Sequence, residues 1–257
     1  MEAKHAIFVA PFDELVDPRL LAELAALAEQ RRWDGFFLWD HIRYREPVQA
    51  VADPWVALAA IAVATERLRI GPMVTPIARR RVQKLARETA TLDLLSRGRL
   101  TLGVGLGSDR SAELSMFGEE LDPRRRAKLL DDGLARLAEF WAGEFLPRPV
   151  QQPRIPVWAA TRWPHRRPLE RAARWDGLFP IELPAPEDLA TLAAELQDLR
   201  EHSGVGDLPF DLVAEIEPGA AARPWVEAGA TWVFTGFGHV PRADQVREVI
   251  EAGPSRD

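Results

Sequence analysis

The tetrapeptide Arg-Trp-Asp-Gly occurs twice in this chain, at 32–35 and at 174–177, each time joining a helical pattern to a short apolar run. Before the first copy, residues 18–32 (PRLLAELAALAEQRR) carry leucines at helical spacing; after it, 36–39 (FFLW) read as a strand. The second copy lies in ERAARWDGLFPIEL, 170–183, and a looser third is EAGATWVFTGF, 227–237. A recurring helix-to-strand joint requires a repeated α/β architecture, because each helix must bury its apolar stripe on a sheet assembled from the other copies.

Eight such units can be placed. Strands are expected at 5–10, 36–39, 68–74, 100–106, 157–160, 178–181, 210–214 and 232–235. Helices are expected at 18–32, 54–65, 79–95, 124–141, 165–173, 187–202, 220–228 and 242–252. Asp53-Pro54 opens the second helix with a capping acid and a proline at the first helical position. Gly71-Pro72 interrupts the third strand, and since proline lacks a ladder donor, that strand must bulge or bend near its end. The 257 residues match the roughly 250 of a (β/α)₈ TIM barrel. No GxGxxG follows the first strand, which removes the doubly wound dinucleotide fold. The expectation is an α/β chain forming one (β/α)₈ barrel domain over 1–257.

Composition removes several functions. The absence of cysteine excludes disulfides, thiolate zinc sites and a cysteine nucleophile, and no metal centre is expected. A net charge of -6, from 33 basic and 39 acidic residues, argues against nucleic acid as a partner. No apolar run approaches the roughly 18 residues of a membrane span. The start, MEAKHAIFVAPF, lacks a signal peptide's layout, so a cytoplasmic protein is expected.

A barrel's active site sits at the C-terminal ends of its strands, which filters the polar residues. Asp13, Asp40, His41, Thr75, residues 103–109, Thr161, Arg162, Glu182, Glu215 and Thr235 pass. Asp40-His41 releases an acid and an imidazole together at the end of a buried strand, where imidazole can exchange a proton. Gly103, Gly105 and Gly107 alternate at the end of the fourth strand, where missing side chains allow a flat ligand or a phosphate to approach the backbone. The run 161–167 (TRWPHRR) joins a helix start to three arginines, which suits an anion. The acids among these also admit a glycoside hydrolase, in which one carboxyl acts as acid and another as nucleophile.

Beyond these readings, WDGFFLWDH at 33–41, DPWVALAAIAVATERLRIGPMVTP at 53–76, LARETATLDLLSRGRLTLGVGLG at 85–107 and RRPLERAARWDGLFP at 166–180 resemble the bacterial luciferase-like family of flavin- and deazaflavin-dependent oxidoreductases. The resemblance implies a barrel holding FMN, or the deazaflavin coenzyme F420, in its mouth for a monooxygenase-type oxidoreductase reaction on a small molecule. It implies that His41 moves protons while Asp40 sets its tautomer or touches the cofactor, and that Thr75 lines the ring pocket. A non-prolyl cis peptide would fall at Pro72-Met73, with Gly105, Gly107, Ser108, Ala160, Thr161 and Arg162 completing the cofactor wall. It also implies a homodimer through the early helices, consistent with residues 53–65 being apolar nearly all round. Ser108 separates the glycines from Asp109, Ala159-Ala160-Thr161 stands where many members carry glycines, and 215–220 leaves little room for a lid. Those departures leave a shortened, non-catalytic flavin-binding barrel as the alternative.

Overall fold

The computed structural model describes residues 3–143, 145–165 and 167–255. The strands are β1 (Lys4–Val9), β2 (Gly35–Leu38), β3 (Arg69–Pro72), β4 (Thr75–Pro76), β5 (Leu102–Gly105), β6 (Val157–Arg162), β7 (Gly177–Ile181), β8 (Asp211–Ile216) and β9 (Trp232–Gly236). The helices are α1 (Pro18–Gln30), α2 (Pro54–Ala64), α3 (Val82–Leu95), α4 (Pro123–Ala142), α5 (Arg167–Ala172), α6 (Pro186–His202), α7 (Arg223–Glu227) and α8 (Ala243–Ala252). All ladder pairings are parallel, in the order β3-β2-β1-β9-β8-β7-β6-β5-β4. A parallel bridge between Ile70 and Leu100 joins the two ends. Because β4 continues the third strand past its expected end at 74, the sheet counts as the expected eight-stranded (β/α) barrel.

The recurring joint works as a staple. Asp34 donates its backbone N–H to the His5 carbonyl, accepts the His5 N–H on its carboxylate at 2.9 Å, and offers its own carbonyl to Arg69 N–H. Asp176 repeats each contact with Val157 and Asp211, and Thr231 repeats them with Leu212 and Lys4, its hydroxyl standing in for the carboxylate. One residue per joint, through its side chain and both its backbone groups, thus ties three neighbouring strands at the barrel floor. A Cβ on Gly35 would lie 2.7 Å from Phe37, and one on Gly177 2.4 Å from Trp158, so the joint ends in glycine for lack of space.

The interruption at Gly71-Pro72 produces the expected break, placed after the proline. Pro72 still pairs with Leu38 in β3, Met73 N–H bonds the Leu38 carbonyl, and the ladder toward β5 resumes at Thr75 opposite Val104. The non-prolyl cis peptide falls at Met73–Val74, one residue beyond the expected Pro72-Met73, because Pro72 and the Met73 N–H remain in register with β2. At Gly71 a Cβ would stand 1.9 Å from the Thr101 carbonyl oxygen. Backbone cannot rotate away as a side chain can, so Gly71→Ala is expected to destabilise the fold by at least about 1–3 kcal/mol. Urea denaturation against the parent chain measures it.

Two layers of core follow from strand alternation. Outward-facing apolar residues such as Ile7, Val9, Phe36 and Leu38 pack under the helices. Inward-facing Phe8, Phe37, Trp158, Phe179, Trp232 and Phe234 fill the barrel, with Phe37 stacked on Phe234 at 4.6 Å. Aliphatic residues usually fill such barrels; here an aromatic plug forms the solid floor of whatever lies above it. The third helix starts at Val82 rather than 79, because Ile77–Arg79 wind as a tight 3₁₀ turn that delivers Arg79 to the strand ends.

Candidate active site

Above the plug, the C-terminal strand ends open into a cavity of about 1430 Å³. Its walls include Phe8 of β1, Trp39 and His41 after β2, Met73 and Val74 of the bulge, Gly105 of β5, Ala160 of β6, Phe179 of β7 and Glu215 of β8. A pocket for one drug-sized ligand measures roughly 300–1,000 Å³, so this one has room for a large cofactor and a second molecule together.

Asp40 is the electrostatic anchor of the rim. Its buried carboxylate accepts from Arg80 at 2.8 Å, Arg79 at 3.0 Å, the Thr75 hydroxyl at 2.7 Å and Trp55 Nε1 at 3.2 Å. Burial alone would raise its pKa, yet the Arg80 and Arg79 guanidinium groups, helped by Thr75 and Trp55, hold it below the ordinary carboxylate value. Asp40 therefore stays charged and committed to its partners. It does not orient His41, as the sequence suggested, since its oxygens are taken up by α2 and the turn ahead of α3.

The group that orients His41 is Glu113, which lies in the loop between β5 and α4. Its buried carboxylate accepts from His41 Nδ1 at 2.8 Å and Ile42 N–H at 2.7 Å, and sits 3.2 Å from Arg79 Nη2. Arg43 reaches the Ser111 carbonyl and ties the same loop down. With Nδ1–H donated to Glu113, the neutral ring presents Nε2 as its acceptor. Arg79 bridges both acids, so Asp40, Arg79, Glu113 and His41 form one braced network. Glu113, Arg79 and Arg80 were not legible as site residues. The only hints were an acid in a polar loop and an arginine run after Pro76.

Seven of the residues expected beside the cofactor lie on this cavity. Met73, Gly105, Gly107, Ser108, Ala160, Thr161 and Arg162 line the cavity. Thr75 and Pro72 do not: Thr75 is fully buried with its hydroxyl turned to Asp40, and Pro72 is held in the ladder opposite Leu38. The expected anion site fares differently. Arg162 is ion-paired with Glu182, and Thr161 donates its hydroxyl to the His165 carbonyl at 2.9 Å. Arg166 and the Arg167 side chain lie outside the described residues.

The remaining acids separate by environment. Asp109 caps the turn at Ser115, whose N–H lowers its pKa with help from Leu114 N–H. Asp13 accepts from the Gln49 and Ala50 amides, away from the cavity. The Arg162 guanidinium beside Glu182 holds that acid below the usual range, with Arg110 adding to the effect. Glu215 is the exception: burial pushes it up to about 7. Among the described residues, no group of three or more His, Cys, Asp or Glu side chains is placed to hold a metal. No helix among them is long and apolar enough to cross a membrane.

Comparison with known proteins gives a consistent result. A family model described as luciferase-like monooxygenase matches residues 6–231. An uncharacterized protein of Mycobacterium tuberculosis is 32% identical over 202 residues, covering 72% of this chain and 69% of that one. An F420-dependent glucose-6-phosphate dehydrogenase of Beutenbergia cavernae is 36% identical over 131 residues, 49% of this chain and 38% of the dehydrogenase. Among solved structures, an F420-dependent secondary alcohol dehydrogenase superposes with a TM-score of 0.83 at 16% identity, covering 100% of this chain and 99% of the other. The monooxygenase RslO1 from Streptomyces bottropensis superposes at 0.77 with 20% identity and 96% coverage of both. At those identities the two structures establish the fold.

Proposed function

The chain belongs to the luciferase-like monooxygenase family, and on that premise we propose that it is an oxidoreductase of monooxygenase or dehydrogenase type that holds FMN, or the deazaflavin F420, in the barrel mouth. The reading takes residues 1–257 as one barrel domain. The observation that carries it is the His41–Glu113 couple, fixed by Arg79 and Asp40, on the wall of a cavity large enough for a cofactor and a substrate. A braced imidazole with one free nitrogen is machinery for chemistry, which favours catalysis over a shortened barrel that only binds.

The residues fit such a ring. Gly105 and Gly107 remove side chains from one wall, and Trp39 Nε1 is a buried donor with no partner among the described residues. Met73 and Val74 of the bulge would back the ring, and Ala160, Thr161 and Ser108, which line the same cavity, would border it. Bound there, the cofactor supplies hydride or oxygen chemistry. The chain supplies position and protons: His41 Nε2 takes or returns the substrate's proton, Glu113 accepts Nδ1–H throughout, and the aromatic floor excludes water from below. The family relationship, with Glu182 held by two arginines, sets the glycoside hydrolase reading aside.

Titration of the purified protein with FMN and with the deazaflavin, followed by ligand fluorescence, tests this reading. One of the two is expected to saturate at one equivalent per chain.

A homodimer is part of the proposal. Val56 and Val63 sit seven residues apart on α2, 62% and 72% exposed, with Ala59 and Ala60 between them. Sedimentation is expected to give twice the chain mass, and Val63→Glu, which puts a charge into that face, is expected to give the monomer.

A further inference from the structure

Glu215 is a carboxyl on the barrel's cavity wall with no hydrogen-bond or ion-pair partner among the described residues. Strand alternation aims it inward: Val213, two residues earlier on β8, belongs to the aromatic plug, so Glu215 occupies the next layer up, on the cavity wall. Its register partner is Phe234, which packs on Phe8 at 5.5 Å and Phe179 at 5.7 Å. Space for the carboxyl comes from Gly236, where a Cβ would stand 2.3 Å from Glu215 Oε1. The ladder between β7 and β8 ends at Leu178 opposite Leu212, so the barrel splays at this point and leaves the acid open to the cavity.

No cation among the described residues answers it. The neighbouring charges are Glu182 after β7, held by Arg110 and Arg162, and Glu217 just past the end of β8. After β9, His239 stacks on Tyr44, and on α7 Arg223 is paired with Glu227. Arg171, also on the cavity wall, is taken by Asp131. No hydrogen bond or ion pair engages the Glu215 carboxylate among the described residues, and burial alone accounts for its titration near 7. A desolvated carboxylate is stabilised most by a cation that it can bond directly, and aromatic faces beside it favour the same charge. A substrate anion would instead meet repulsion here.

We propose that Glu215, with the aromatic layer beneath it, is a subsite for the protonated amino group of an amine-bearing small molecule. The assignment takes the cavity to be the substrate chamber of the proposed function and so rests on that reading. An ammonium ion favours the carboxylate form, so binding below the midpoint near 7 must expel a proton from Glu215. Affinity for an amine is then expected to fall about tenfold per pH unit below that midpoint and to level off above it, until the amine itself deprotonates.

The test uses benzylamine as the probe and benzyl alcohol as its neutral counterpart, with calorimetry on the full chain. At a pH about one unit below the midpoint, benzylamine binding is expected to release a proton, read as a heat that depends on the buffer's ionisation enthalpy. Benzyl alcohol should bind far more weakly and without such dependence. Glu215→Gln, a neutral isostere free of the burial penalty, is expected to fold and to weaken benzylamine about 30-fold or more. Equal binding of amine and alcohol, or unchanged amine affinity in Glu215→Gln, would overturn the proposal. Proton release is measured on the parent chain, so the test stands even if the variant fails to fold. Run with and without cofactor, the experiment separates the two readings. Cofactor binding without amine selectivity sinks only this subsite, and amine selectivity without cofactor binding sinks only the oxidoreductase.

Discussion

Asp40→Ala is expected to cost the protein about 3–5 kcal/mol of stability, the range for removing one partner from a buried ion pair. The change leaves Arg79, 4% exposed, and Arg80, 16% exposed, without the carboxylate between them. It also strands the Thr75 hydroxyl and the Trp55 indole N–H in the interior. The same network carries a pH signature. Because the folded-state pKa of Asp40 lies below its unfolded value, its contribution is complete above the unfolded value of 3.8 and is lost as pH falls through the folded one. Urea denaturation at neutral and acid pH measures both effects. The deficit of Asp40→Ala should shrink as the parent loses its own advantage in acid. A variant as stable as the parent at neutral pH would contradict the electrostatic account of the rim.

The second large effect is on turnover. His41→Ala is expected to lower kcat by about 10²–10⁴-fold, the usual worth of a positioned acid–base group. Cofactor affinity should change little, because the wall proposed for the ring is formed mainly by Gly105, Gly107, Ala160 and the bulge, which line the cavity apart from His41. Glu113→Gln should lower kcat less, since the amide can still meet Nδ1–H through its oxygen while losing the charge that stabilises a protonated ring. Stopped-flow absorbance of the bound cofactor on mixing with substrate follows both variants. Full turnover in His41→Ala would remove His41 from the chemistry.

The barrel was readable because its units repeat: the two Asp residues of the joint and Thr231 make the same three strand contacts, so one local pattern reports a global one. Glycine placement at a strand end likewise gave Gly105, and the family resemblance gave Ala160, both of which line the cavity. What the chain conceals is pairing across distance. Asp40 and His41 are neighbours in sequence and were read as partners, yet one turns to Arg79 and Arg80, 39 and 40 residues on, and the other to Glu113, 72 residues on. Glu113 sits in a loop with no periodicity to mark it, and only the fold brings that loop over β2. Thr75 was placed at the mouth because it follows the bulge, but the bulge turns its side chain inward to Asp40.

The claim that the barrel mouth is a flavin or deazaflavin chamber is tested most directly by repeating the cofactor titration on Ala160→Trp. Ala160 already lines the cavity from β6, so an indole there occupies the space proposed for the cofactor ring without displacing backbone. Circular dichroism and melting confirm that the variant is folded. Saturable one-to-one binding of FMN or the deazaflavin by the parent, abolished in folded Ala160→Trp, is the predicted result. Absence of saturable binding of both ligands by the parent, or binding undiminished in the variant, would contradict it.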